Sequence, residues 1–158
     1  MATSHPHASR RRPAFTLVEL LVVMLIIGIL AAIAIPAFFN QRDKAKDAGA
    51  KEMAHTAQVA METYATDNSG TYAAVSPAKL AAIENSIQTA VSTTSPYLSA
   101  AAVVGANNKG WTLTVTSGST SNTFTIARDA TTGALSFTCG PVANQGTGGC
   151  PSGGNWTG

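Results

Sequence analysis

Charged residues are scarce in this chain. They make up 11% of its 158 residues, and the formal net charge is only +2. A charge this small does not indicate nucleic acid or anionic lipid as a general partner. Three of the basic residues are Arg10, Arg11 and Arg12, and without them seven basic residues stand against eight acidic ones. The rest of the chain therefore has a near-neutral surface.

Histidine and cysteine are also rare, which limits the chemistry open to the chain. The three histidines lie far upstream of the two cysteines, Cys139 and Cys150, and a structural zinc site needs four ligands. No histidine lies near a serine or an acid in a recognisable catalytic order. The glycine-rich run at 146–149 has no helix after it, unlike a phosphate-binding loop. The sequence therefore predicts no enzyme, no metal site and no cofactor.

A long apolar run dominates the N-terminal part. Residues 20–39 contain no charged residue, and Leu, Ile, Val and Phe together supply thirteen of these positions. About 20 apolar residues are enough for a helix to cross a bilayer. Their combined insertion energy of about −6 kcal/mol exceeds the cost of one nearby acid, which is at most about 3 kcal/mol. The basic residues Arg10–Arg12 should stay in the cytoplasm, so the C-terminal part is translocated.

The hydrophobicity of this run, taken alone, is consistent with two simple interpretations. One is a permanent single-pass anchor. The other is a secretory signal cleaved after a small-residue site such as Ala32-Ile33-Ala34. The run is longer than the 7–15 residues typical of such a signal, and Glu19 stands where an aliphatic residue would be preferred.

A third interpretation comes from the order of residues in the run, which reads FTLVELLVVMLIIGILAAIAIP at residues 15–36. A basic leader, a small residue, Phe15, Glu19 and an unbroken apolar helix follow one another, with Gly28 and Pro36 at matching spacing. This stretch resembles the N-terminus of type IV pilins and of the pseudopilins of type II secretion. The resemblance covers about the first 40 residues.

The resemblance implies a processing pathway. A membrane peptidase would cleave between Ala14 and Phe15 and the new N-terminus at Phe15 would be methylated. The family usually has Gly before the cleaved bond, and this chain has Ala14. Glu19 lies one helical turn after Phe15, so its carboxylate could pair with the new amine of a neighbouring subunit during assembly. The alternative is that Glu19 only complements the helix dipole.

Gly28 and Pro36 are the weak points of the apolar helix. Pro36 lacks an amide hydrogen, so the Ala32 carbonyl loses its helical donor, and Gly28 lowers helix propensity by about 1 kcal/mol. A static kink is one interpretation. The family resemblance implies that residues 28–36 unwind on assembly and make the filament extensible.

The remaining sequence predicts a head that packs on the second half of a long helix. We expect one helix from about 15 to 66, with apolar Met53, Ala57, Ala60, Met61 and Tyr64 on one face. The helical turns that precede this apolar face are rich in charge. Their charged residues, from Arg42 to Glu52 and including Asp47, predict a solvated segment. Turn-forming residues 67–70 end the helix.

A second helix should start at Pro77 with Ser76 as its N-cap, and its apolar face should comprise Leu80, Ile83, Ile87 and Val91. Residues 97–104 are read either as an edge strand or as an irregular connection. From Trp111 onward, apolar residues alternate with polar ones. This alternation predicts antiparallel strands around 111–116, 123–126 and 135–139.

The two cysteines complete the predicted head. An even cysteine count in an exported chain favours a Cys139–Cys150 disulfide. Such a bridge also resembles the disulfide-bounded C-terminal loop of many type IV pilins. Trp156 follows in a tail that could dock on the head.

The predicted fold is therefore α+β: a long N-terminal helix packed on a three- to four-stranded antiparallel sheet, with a C-terminal disulfide loop. The predicted segments are a leader at 1–14, a membrane and filament-core helix at 15–39, its amphipathic continuation at 40–66 and a head at 67–158.

The predicted function is a structural pilin of a type IV pilus-like filament. The resemblance implies other pilin subunits, prepilin peptidase and methyltransferase, an assembly platform and its ATPase as partners, with nucleic acid bound only through the filament. The subunit would reside in the cytoplasmic membrane before assembly, and in an extracellular or periplasm-spanning filament afterwards. Such filaments serve adhesion, twitching motility, DNA uptake or secretion. A type II secretion pseudopilin and a secreted or membrane-anchored binding domain are the alternatives.

Overall fold

A computed structural model describes residues 15–156, so the predicted leader at 1–14, including Ala14, lies outside the described residues. A long helix, α1, spans Leu17–Asp67. Its bounds confirm the predicted helix to within two residues at each end. The chain divides into two compact units, of which the first ends at Ala37 and the second begins at Phe38.

The first unit consists of the apolar part of α1. One 18-residue window of this helix has a mean hydropathy of 3.0, and none of it is buried within the structure. By length and composition this helix could cross a membrane. Its large apolar side chains are exposed all around the helix, so neither a core nor a single apolar stripe accounts for them.

The second unit contains a four-stranded antiparallel sheet in the order β1-β2-β3-β4. The strands are β1 (Tyr97–Val104), β2 (Gly110–Thr116), β3 (Thr123–Arg128) and β4 (Leu135–Gly140). This meander confirms the three strands predicted from alternation. It also resolves the open interpretation of residues 97–104, which form an edge strand with a register shift between Leu98 and Ala100.

The second half of α1 covers the apolar face of this sheet. Small side chains, beginning at Ala50, make up most of the buried face of the helix. The larger Met61 and Tyr64 fill the space toward the helix end. The fully buried residues that face them from the strands are Trp111, Leu113, Val115, Phe124 and Ile126.

A short helix, α2, spans Pro77–Ile83. Its start is as predicted, because the Ser76 hydroxyl accepts a hydrogen bond from the Lys79 amide and Pro77 occupies the first turn. The predicted continuation of its apolar face was wrong. Glu84 adopts extended backbone angles, and Ile87 is buried only after the following turn, while Val91 is 81% exposed.

The C-terminal segment closes the free side of β4. Cys139 and Cys150 form a disulfide with their Cα atoms 5.7 Å apart, which confirms the predicted pairing. The indole Nε1 of Trp156 donates a 2.8 Å hydrogen bond to the Thr138 carbonyl, and its ring packs edge-on against Phe124 and Phe137. Trp156 therefore docks on the head as predicted and belongs to its core.

Candidate functional site

The N-terminal end of α1 is capped by Thr16. Its hydroxyl accepts a 3.1 Å hydrogen bond from the Glu19 amide, and its carbonyl accepts one of 3.2 Å from the Leu20 amide. This satisfies donors that every helix start leaves open. Sequence reasoning missed this role, although a threonine followed three residues later by glutamate is a capping-box pattern. Thr16 therefore fixes where the helix begins relative to Phe15.

Glu19 lies in the first turn of α1 with an exposed side chain. No basic group of residues 15–156 lies within ion-pairing distance of its carboxylate. The neighbouring residues of the same helix, from Leu20 onward, are apolar. The carboxylate is therefore available to a partner outside the chain.

Gly28 and Pro36 both lie inside α1, which is assigned as helix throughout. A Cβ atom on Gly28 would meet nothing within 4 Å, so no close packing within the structure requires glycine there. The predicted unwinding of residues 28–36 stays a prediction.

Asp47 occupies the centre of a buried polar cluster in the second unit. Although it lies on α1, it is fully buried. Its carboxylate accepts hydrogen bonds from the Thr120 hydroxyl, from Asn122 Nδ2 at 2.7 Å and from the Gly149 amide at 2.8 Å. The prediction that this part of the helix is solvated was therefore wrong at Asp47.

The Asp47 cluster joins three segments that are distant in sequence. Thr120 and Asn122 belong to the β2–β3 turn, and Gly149 belongs to the disulfide loop. Asn144, also in that loop, donates a 2.9 Å hydrogen bond to Asn122 Oδ1. A buried carboxylate is tolerated when several donors surround it, as they do here. The cluster therefore fixes the disulfide loop against the helix.

The glycines of the disulfide loop permit this close approach. A Cβ atom on Gly149 would lie 2.6 Å from the Asp47 Cβ, a distance that real side chains do not adopt. Gly148 has a positive φ of 57°, which also favours glycine. The glycine-rich disulfide loop is thus shaped to fit the helix.

A second polar contact lies at Tyr72. Its hydroxyl donates a 2.7 Å hydrogen bond to Glu62 Oε2 and accepts one of 3.4 Å from Arg128 Nη1. Burial, and next the hydrogen bond to Glu62, raise the pKa of Tyr72 above its usual value. The phenol is therefore held in its neutral form, and the contact joins the end of α1 to β3.

His55 packs against aromatic rings. Its ring centroid lies 5.4 Å from that of Trp156 and 5.9 Å from that of Phe137. Within residues 15–156, no group of three or more His, Cys, Asp or Glu residues is arranged to hold a metal ion. The arrangement of His55 is that of a boundary residue of the core.

One comparison with known proteins concerns the N-terminal part. Residues 9–35 match the prokaryotic N-terminal methylation motif. Over 59 residues the chain is 39% identical to the type II secretion system core protein G of Pseudomonas aeruginosa. That match covers 37% of this chain, and the chain spans 42% of the length of the relative. No solved structure matches the chain.

These findings agree with the geometry of the N-terminal end of α1. The matched motif ends inside the exposed apolar helix and includes Phe15, Thr16 and Glu19. The chain therefore carries the prokaryotic N-terminal methylation motif, which confirms the resemblance to type IV pilins and pseudopilins seen in residues 15–36.

Proposed function

We propose that this chain is the precursor of a structural subunit of a type IV pilus-like filament. The observation that carries the proposal is an exposed apolar helix that follows the methylation motif and holds a single acid, Glu19, near its start. An apolar surface of this extent needs lipid or other protein around it. A filament of identical helices meets that need after the subunit leaves the membrane.

Each segment of the chain has its own role in this proposal. Residues 1–14 are a leader that is cleaved between Ala14 and Phe15, after which Phe15 is methylated. Residues 15–39 anchor the subunit in the cytoplasmic membrane and later pack in the filament core. Residues 40–66 continue the helix into the head of residues 67–158. After assembly, the subunit is part of a filament that is extracellular or spans the periplasm.

Glu19 sets the register between subunits in this proposal. Its carboxylate has no partner among residues 15–156, and cleavage creates a positively charged amine at Phe15 one turn away in sequence. A Glu19 carboxylate in an incoming subunit pairs with the Phe15 amine of a neighbour. In an apolar surrounding an unpaired charge is costly, so the pairing selects one axial stagger out of many.

The partners follow from this pathway. A prepilin peptidase and methyltransferase act on Ala14 and Phe15, and an assembly platform with its ATPase extracts the subunit from the membrane. Other copies of the chain form the helical polymer. The filament then serves adhesion, twitching motility, DNA uptake or secretion, and nucleic acid meets the chain only in the assembled filament.

Processing is tested by N-terminal sequencing and intact-mass analysis of the mature protein. We expect the mature chain to begin at a methylated Phe15. A chain that begins at Ile35, or one that keeps residues 1–14, would contradict the proposal and favour a secreted or membrane-anchored binding domain instead.

Assembly is tested by the Glu19→Ala variant in a strain that lacks the native gene. We expect normal amounts of processed subunit in the membrane and few or no filaments by electron microscopy. The matched control is Glu52→Ala, which removes an exposed acid from the head half of α1 and should leave filaments intact. Normal filaments from the Glu19→Ala strain would remove the register role.

A type II secretion pseudopilin is the second candidate. The identity to core protein G of Pseudomonas aeruginosa favours it, whereas the disulfide loop at Cys139–Cys150 favours a pilin. A deletion strain separates the two. Loss of surface filaments with intact protein secretion supports the pilin, and the reverse result supports the pseudopilin.

A further inference from the structure

We draw no further inference here: the strongest candidate, the outward face of the sheet where the half-buried Thr112, Thr114 and Thr116 of β2 lie beside Thr123 and Thr125 of β3, carries nothing because nothing in the structure shows what covers it.

Discussion

At the scale of single residues, Asp47 departs most from what its sequence neighbourhood predicts. Residues 42–52 are rich in charge, which is typical of a solvated helix face. Yet Asp47 stands three residues before Ala50 and seven before Ala54, on the same face as the buried alanines. The helical period therefore contained a signal for its burial. Its partners, 73 to 102 residues away in sequence, could not be predicted by any local rule.

We predict that Asp47→Ala destabilises the head by about 3 kcal/mol, because it leaves the donors of Thr120, Asn122 and Gly149 buried without an acceptor. Urea unfolding in micelles with the disulfide intact measures this. Asp43→Ala is the control, since Asp43 is half-exposed and its 3.8 Å pair with Lys46 is weak. The control should change stability by less than about 0.5 kcal/mol. Equal stability of the two variants would contradict a structural role for the cluster.

Tyr72 leads to a prediction about pH. Burial and the Glu62 hydrogen bond raise the folded-state pKa of Tyr72 above its usual value of 10.0, so the folded chain holds this proton more tightly than the unfolded chain. The stabilisation is complete below that value and is lost as pH rises through the folded pKa. The free energy of unfolding should therefore fall in strong alkali, and less steeply in Tyr72→Phe. Parallel curves for the two proteins would show that another group is responsible.

At the scale of elements, the sequence predicted periodic segments well and their ends less well. The alternation of Trp111, Leu113 and Val115 predicted β2, and these side chains are fully buried as that pattern requires. The end of α2 was missed because Ile87 continues the helical period but is buried by a turn after Glu84. Side-chain spacing alone does not distinguish a further turn of helix from such a turn.

The disulfide loop is the element whose shape depends most on glycines, which have no side chain. We predict that Gly149→Ala destabilises the head by about 2 kcal/mol, because the added Cβ would overlap Asp47 and displace the loop. Gly153→Ala is a matched control in the same segment, where a Cβ meets nothing within 4 Å. Thermal unfolding followed by near-ultraviolet circular dichroism compares the two. A control that is as unstable as Gly149→Ala would refute the steric explanation.

At the scale of the whole molecule, two units with opposite solvent requirements share one chain. The first unit exposes its apolar side chains, while the second encloses a core and presents a polar sheet face. Composition along the sequence was sufficient to separate them, because the apolar run and the alternating strands are local signals. The Asp47 cluster does not follow from composition, since it arises where distant segments meet.

The last prediction concerns the filament that we propose. Gly28→Ala and Pro36→Ala together remove the two residues that weaken α1, by about 1 and 3 kcal/mol in helix propensity. If residues 28–36 unwind on assembly, filaments of this variant should extend less under a given force in optical-trap measurements. Gly49→Ala, an equally open position on the head half of α1, is the control and should leave extension unchanged. Unaltered extension in the double variant would show that the helix keeps its hydrogen bonds in the filament.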